Sequence, residues 1–187
     1  MINDAVLTQA EDLLSQLRAR RWKICTAESC TGGLIAASLT AIAGSSDVVD
    51  RGFITYSNAA KTAMLGVDPE LITAVGAVSE AVARAMAEGA LARSDADIAV
   101  SVTGVAGPGG GSADKPVGLV WFGLATKSGV RSERMVFPGD RTAVRAATVV
   151  HALEMLATAV GSVSVPQEVP PASASSAGTS TESPAES

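Results

Sequence analysis

Ser29 lies in a short segment whose residue types could perform nucleophilic catalysis. Residues 23–27 predict a strand, residues 34–42 predict a helix, and Ser29 lies in the turn between them. A helix that begins there leaves backbone N–H groups free to face the group that a serine attacks. Gly32 would allow a substrate to approach closely. The alternative is that Ser29 or Thr31 only caps the helix, and the G-x-S-x-G pattern of α/β hydrolases is absent.

The base that would activate Ser29 is not obvious, because the chain has one histidine. His151 falls deep in the predicted last helix, where a position on the helix face is expected. Lysine can replace histidine if burial or a neighbouring cation lowers its pKa from about 10.4 towards neutrality. Lys61 is the candidate, and Tyr56 could relay a proton or hold Lys61 in place. The alternative is a core tyrosine beside a solvated lysine.

Cys30 is a competing nucleophile directly after Ser29. A thiol at the start of a helix could have a lowered pKa. A cysteine hydrolase usually also needs histidine, however, and a small buried cysteine is the commoner role. With two cysteines and one histidine in the whole chain, a disulfide framework is improbable and a zinc site is nearly excluded.

Two further patterns could bind an anion. Residues 103–112 form a glycine-rich loop after a predicted buried strand, the position at which open α/β sheets bind ligands. The loop matches neither a P-loop nor a dinucleotide-binding fingerprint. Arg141 and Arg145 lie one turn apart near the positive end of the predicted last helix, which suits a phosphate. Taken alone, the loop could be merely flexible and the arginines merely solvated.

The elements that must position these residues follow from apolar periodicity and capping patterns. The pattern predicts helices at 4–20 with Asp4 as cap, at 58–65, from Asp68-Pro69, at 79–93 and from Asp140 to 160, and strands at 52–56, 98–102, 117–126 and 131–137. Helices alternate with strands, and one strand pair is expected to be antiparallel. We therefore predict an α/β fold, a three-layer α/β/α sandwich with a mixed, mostly parallel sheet.

Composition favours one globular domain followed by a tail. The hydrophobic fraction of 47% can form a core for residues 1–165, whereas residues 166–187 are rich in Ser, Ala, Pro, Thr and Glu and predict disorder. The net charge is −5, and the three glutamates of the tail leave −2 for the rest. That balance argues against a nucleic-acid partner. The N-terminus lacks a signal-peptide pattern, and no uninterrupted apolar stretch predicts a membrane span, so we expect a cytoplasmic protein.

Several segments together resemble one known family. In order they are Thr26-Ala27-Glu28-Ser29-Cys30-Thr31-Gly32-Gly33, Gly52-Phe53-Ile54-Thr55-Tyr56-Ser57-Asn58, Gly76-Ala77-Val78-Ser79, Thr103-Gly104-Val105-Ala106-Gly107-Pro108, Lys115-Pro116-Val117-Gly118 and Gly139-Asp140-Arg141. Over roughly residues 4–162 the chain resembles the CinA C-terminal domain family. Its stand-alone members include enzymes that convert nicotinamide mononucleotide to nicotinic acid mononucleotide and ammonia.

The resemblance implies roles for individual residues. Ser29 corresponds to the nucleophile, Lys61 to its base and Tyr56 to an assisting group, with no metal or organic cofactor. It also implies an α/β/α sandwich that assembles as a homo-oligomer, a dimer or larger. The family's small-molecule substrate is a nucleotide.

We also expect contacts between the substrate and residues to which the resemblance assigns no role. N–H groups near Cys30 and in the loop from Gly104 to Gly107 are expected to stabilise an oxyanion. Arg141 and Arg145 are expected to bind the phosphate, with Thr31, Gly32 and Thr103 around the same pocket. A serine amidase for another small amide, and a regulatory nucleotide-binding domain without turnover, both stay open.

Overall fold

The computed structural model describes residues 2–162, in which helices and strands largely alternate. The elements are α1 (Asp4–Arg20), β1 (Ile24–Glu28), α2 (Leu34–Thr40), a short 3₁₀ turn (Ser45–Asp47), β2 (Val49–Ile54), α3 (Asn58–Leu65), α4 (Pro69–Val75), α5 (Glu80–Ala92), β3 (Ile98–Gly104), β4 (Leu119–Thr126), β5 (Gly129–Val136) and α6 (Arg141–Ser162). The predicted tail, 166–187, and the predicted domain boundary at 165 lie outside the described residues.

The five strands form one mixed sheet in the order β2-β1-β3-β4-β5. Strand β1 pairs in parallel with both β2 and β3. Strand β4 is antiparallel to both β3 and β5, so two strand pairs are antiparallel where we predicted one. A single strand of opposite direction inside a sheet has two neighbours and reverses both pairings. The register aligns Glu28 with Ile54 and with Val102, so β1 and β2 end together at one edge and β3 continues for two more residues, to Gly104.

Helices cover both faces of the sheet, which confirms the three-layer prediction. Helices α1, α2 and α6 pack with Ile24, Val100 and Phe122 on one face. On the other face α4 and α5, with the end of α3, pack against Cys25 and Ala99. Neighbouring residues of β1 and β3 thus point into opposite cores, as the two-residue period of a strand requires. Both strands are almost entirely buried, since helices exclude water from either side.

Capping patterns predicted most helix starts correctly. Asp68 and Ser79 cap α4 and α5, and the Asp140 carboxylate accepts a hydrogen bond from the Ala143 N–H at 2.8 Å. The prediction for α1 was wrong, because Asn3 is the cap, accepting from the Val6 N–H, and Asp4 is already helical.

One edge strand begins and ends earlier than predicted. Residues 52–56 were predicted to be the strand, whereas β2 is Val49–Ile54. Val49 pairs with Ile24 at the start of β1, so β2 begins three residues before the predicted start at residue 52. At the other end Thr55 still donates its N–H to the Glu28 carbonyl at 2.8 Å, and the chain then turns into α3.

Within residues 2–162, α6 is the one helix whose length and composition would suffice to cross a membrane. Its buried residues, among them Val144, Leu153 and Leu156, pack in the core that α1 and the sheet share. We therefore interpret α6 as a core helix, because burial against protein explains an apolar helix of this length.

Candidate active site

Ser29 and Lys61 meet at the sheet edge where β1 ends. The Lys61 Nζ lies 3.0 Å from the Ser29 Oγ, within hydrogen-bonding distance, and donates to the Thr55 carbonyl at 2.8 Å. Lys61 is 1% exposed, whereas Ser29 is partly exposed. The alternative of a solvated lysine is therefore wrong. The geometry is that of a nucleophile with a base in direct contact.

Backbone contacts fix both partners. The Ser29 N–H donates to the Val102 carbonyl at 3.1 Å, which ties the residue after β1 to β3. Lys61 lies in the first turn of α3, which begins at the cap residue Ser57. From there its side chain reaches Thr55, whose N–H is in turn bonded to β1. The two side chains are thus held by neighbouring strands of one rigid sheet.

The burial of Lys61 changes its protonation. Desolvation lowers the pKa of the Lys61 amine, because removal from water disfavours the charged form. Lys61 takes part in none of the ion pairs found among residues 2–162. A neutral amine has a lone pair and can accept the proton of a serine hydroxyl. The environment therefore favours the form of lysine that can act as a base.

Cys30 has the opposite environment from a reactive thiol. Its side chain is 6% exposed, and burial raises the pKa of the thiol to about 12. The possibility of a lowered pKa at a helix start is therefore wrong for Cys30, because desolvation outweighs any help from backbone N–H groups. Cys30 is a thiol rather than a thiolate near neutral pH.

A buried carboxylate that we did not single out from the sequence organises the turn. Glu28 is fully buried, and its two oxygens accept five hydrogen bonds. The donors are Thr26 Oγ1 at 3.2 Å, Thr31 Oγ1 at 2.6 Å, Gly33 N at 3.0 Å, Ile35 N at 3.0 Å and Ala36 N at 2.8 Å. Neither Ser29 nor Thr31 caps α2, and the cap residue Gly33 makes no side-chain bond. The sequence signal that could have identified Glu28 is a charged residue at the end of an apolar strand.

Glu28 also changes which backbone groups could bind a substrate. The N–H groups at the start of α2 face Glu28, so they are not free for a ligand as the sequence suggested. Among the described hydrogen bonds, the N–H groups of Cys30 and Thr31 donate to no backbone or side-chain oxygen. In the glycine-rich loop, the Val105 N–H is already bonded to the Leu119 carbonyl at 2.8 Å. The donors nearest Ser29 in sequence that have no oxygen acceptor are thus those of Cys30 and Thr31, both of which approach the Cys30 sulfur.

Thr103 and Gly104 have structural contacts. Thr103 is 1% exposed, and its hydroxyl donates to the Ala77 carbonyl at 2.9 Å. A Cβ added at Gly104 would lie 2.7 Å from the Leu119 carbonyl oxygen, so close strand packing accounts for this glycine. A substrate contact by either residue stays a prediction.

Arg145 lies beside the Ser29 turn, and Arg141 lies beside the glycine-rich loop and Tyr56. Arg145 Nη2 donates to the Thr31 carbonyl at 2.8 Å, and a Cβ on Gly32 would lie 3.6 Å from the same nitrogen. Arg141 donates to the Gly107 carbonyl at 3.1 Å and to the Tyr56 hydroxyl at 2.8 Å. Segments far apart in sequence are thus joined by the two arginines, and a phosphate contact by either arginine stays a prediction.

Tyr56 differs from our expectation of its surroundings. Its side chain is 60% exposed, so the alternative of a core tyrosine is wrong. The described hydrogen bonds of its hydroxyl include Arg141 and not Lys61, whose orientation comes from Thr55 instead. An assisting role for Tyr56 in proton transfer stays a prediction.

The single histidine is used elsewhere in the fold. His151 Nε2 lies 3.0 Å from a Glu133 oxygen, and the ring packs edge-on against Phe122 at 4.7 Å between centroids. His151 is therefore an interior helix-face residue, as expected. In the described part of the chain no three His, Cys, Asp or Glu side chains are grouped to hold a metal ion.

Comparison with known proteins identifies the family. The model of the CinA C-terminal domain matches residues 7–160. This chain belongs to the CinA C-terminal domain family. The resemblance inferred from the sequence segments is thereby confirmed.

Two relatives of the CinA domain carry an enzyme name. The chain is 56% identical over 139 residues to the nicotinamide-nucleotide amidohydrolase PncC of Enterobacter agglomerans, covering 74% of this chain and 85% of that protein. It is 50% identical over 157 residues to the protein of the same name from Escherichia coli strain K12, covering 83% and 95%.

Other relatives of the CinA domain are longer or are known as structures. A putative competence-damage inducible protein of Caldicellulosiruptor bescii is 52% identical over 146 residues, but the match spans only 36% of its length and 78% of this chain. The crystal structure of the competence/damage inducible protein CihA from Agrobacterium tumefaciens aligns with a TM-score of 0.83 at 51% identity, covering 86% of this chain and 98% of that one. The three-layer fold is therefore that of the family.

Proposed function

We propose that this chain is an amidase that converts nicotinamide mononucleotide to nicotinic acid mononucleotide and ammonia. The observation that carries the proposal is the contact of 3.0 Å between the buried Lys61 amine and the hydroxyl of the partly exposed Ser29. The substrate is taken from the names of relatives that match most of their length. Ser29 acts as the nucleophile, Lys61 as the general base, and no metal or organic cofactor takes part.

The proposed reaction proceeds through an ester on Ser29. Neutral Lys61 takes the hydroxyl proton while Oγ attacks the carboxamide carbon, and the N–H groups of Cys30 and Thr31 stabilise the oxyanion. Lys61 then gives the proton to the amide nitrogen, and ammonia leaves. Water attacks the ester, losing a proton to Lys61, which returns it to Ser29 as the acid product departs.

Two other functions compete with this proposal. A serine amidase for a different small amide would use the same Ser29–Lys61 pair with another substrate. A nucleotide-binding regulator would need the pocket but would have no use for a buried lysine against a serine, since burial of an amine opposes folding. The dyad therefore favours turnover over binding alone.

The direct test of the proposal is a measurement of ammonia release from nicotinamide mononucleotide by the purified full chain. We expect equimolar ammonia and nicotinic acid mononucleotide, with activity retained after exhaustive chelation. Nicotinamide and a simple aliphatic amide serve as comparison substrates. Turnover of those amides with none of the nucleotide would favour the other amidase function, and nucleotide binding without ammonia would favour the regulator.

The pH dependence of the rate should report the state of Lys61. The base must be unprotonated, so kcat/KM should fall as the pH drops through the lowered pKa of Lys61 and level off above it. We expect the midpoint clearly below 10.5, the ordinary value for lysine. A rate that kept rising up to about that ordinary lysine value would contradict the assignment of Lys61 as a desolvated base.

The arginines should discriminate substrates by their phosphate. Arg141→Ala or Arg145→Ala should weaken transition-state binding of the mononucleotide by about 1.5–3 kcal/mol, the scale of a hydrogen bond to a charged group. The loss should be far smaller with nicotinamide riboside, which lacks the phosphate. Arg134→Ala, an exposed arginine on β5, is the matched control. Equal losses on both substrates would assign Arg141 and Arg145 a structural role.

Location and assembly are parts of the same proposal. We propose that the enzyme is cytoplasmic, and that it assembles as a dimer or larger, as the family resemblance implies. A nucleic-acid partner is not proposed, since the chain lacks a net positive charge.

A further inference from the structure

We infer that Glu28 is a positioning residue that holds Ser29 and Lys61 at reacting distance. The inference rests on the proposed function and deepens it. Glu28 lies directly before Ser29 at the end of β1 and is fully buried, so it does not contact a substrate itself. Its effect is exerted through the two residues that do the chemistry.

The carboxylate of Glu28 fixes the turn that carries Ser29. Its five partners are two hydroxyl groups and three backbone N–H groups, all able to donate. Because all five partners donate, the carboxylate must act only as an acceptor, and its ionised form has no proton of its own to donate. If residues 29–33 shifted, a buried charge would lose its partners, which is strongly unfavourable. The turn is therefore held in one conformation.

The backbone of Glu28 reaches the other member of the dyad. Its carbonyl accepts the Thr55 N–H at 2.8 Å, and the Thr55 carbonyl accepts from Lys61 Nζ at 2.8 Å. Side chain and main chain of one residue thus set the positions of both reacting groups. A displacement of Glu28 changes the distance between Nζ and Oγ, and a misplacement of about 1 Å can reduce a rate about 100-fold.

The decisive variant is Glu28→Gln, which keeps the size of the side chain. One acceptor oxygen becomes an NH₂ group, which would face N–H donors and cannot accept from them. We expect kcat for nicotinamide mononucleotide to fall about 100-fold with little change in KM, because the arginines proposed to bind the phosphate are unchanged, whereas the displaced turn carries groups that act in the transition state. The rate at which a sulfonyl fluoride labels Ser29, with Oγ displacing fluoride, should fall by a similar factor and is followed by intact mass.

Asp68→Ala is the control for a general loss of stability. It removes the cap of α4, away from the Ser29 turn, and should lower the Tm while kcat and the labelling rate stay at the wild-type level. All rates are measured well below the Tm of each variant and expressed per folded chain. A Glu28→Gln variant with lowered Tm but wild-type kcat and labelling would overturn the inference.

A second variant covers the case in which Glu28→Gln does not fold. Thr31→Val keeps the Glu28 carboxylate and removes the Thr31 hydroxyl that donates to it at 2.6 Å. It should lower kcat about tenfold. An unchanged kcat and an unchanged labelling rate would overturn the inference. A wild-type chain that is labelled at Ser29 but releases no ammonia from nicotinamide mononucleotide would count against the proposed substrate. The ratio of labelling rates would then decide the role of Glu28 by itself.

Discussion

Ser29→Ala should abolish turnover of nicotinamide mononucleotide, with a fall in kcat of at least about 10⁴-fold. The substitution removes only the attacking oxygen. Ser29 is partly exposed, and its N–H bond to Val102 is a backbone contact that alanine keeps. The fold, the Tm and much of the substrate affinity should therefore survive, which isothermal calorimetry on the inactive variant would measure.

Cys30→Ala is the matched control for Ser29→Ala, since it alters the neighbouring nucleophile. The Cys30 thiol is buried, and its pKa of about 12 leaves almost no thiolate near neutral pH. We expect substantial activity to remain, with a modest loss from the small cavity that alanine leaves. An inactive Cys30→Ala beside an active Ser29→Ala would reverse the assignment and make Cys30 the nucleophile.

Lys61→Ala should reduce kcat nearly as much as Ser29→Ala. Nucleophile and base act as a unit, so the double variant should be scarcely worse than either single variant. Lys61→Arg should not restore activity, because a guanidinium keeps its proton and cannot accept one. Steady-state kinetics of Ser29→Ala, Lys61→Ala and the double variant under identical conditions would measure the non-additivity directly.

Lys127→Ala controls for the loss of a lysine in general. Lys127 is exposed and pairs with Asp97 at 2.9 Å, so its removal should leave kcat unchanged. Losses that added up in the Ser29 and Lys61 double variant would show that the two residues act independently. That result would exclude a nucleophile–base pair even if each single variant were severely impaired.

The sequence predicted those parts of the fold that depend on short-range patterns. Helix α3 was placed correctly at residues 58–65, Asp68 was correct as a cap, and α5 begins one residue after the predicted start at 79, because capping and apolar periodicity act within a few residues. The second antiparallel pairing was missed. Whether β4 has one neighbour or two depends on the arrangement of the whole sheet and not on any local pattern.

The candidate site was also predicted only in part. Ser29 and Lys61 were identified by residue type, by the lack of histidine and by the family resemblance. The contact between Arg141 and Tyr56 joins residues 85 positions apart, and no spacing rule predicts it. Glu28 was missed because a charged residue at a strand end usually faces solvent. Its burial follows from how α2 folds back over the strand.

The buried amine of Lys61 also links the stability of the whole chain to pH. In the unfolded chain Lys61 has an ordinary pKa, and folding lowers that pKa, so between the two values the unfolded state binds more protons. The free energy of unfolding therefore rises with pH across that interval and is reduced throughout the range below it. Near neutral pH, the proton that must leave Lys61 for catalysis therefore also favours the unfolded state. The buried lysine lowers the free energy of unfolding, and a methionine of similar length at this position would not.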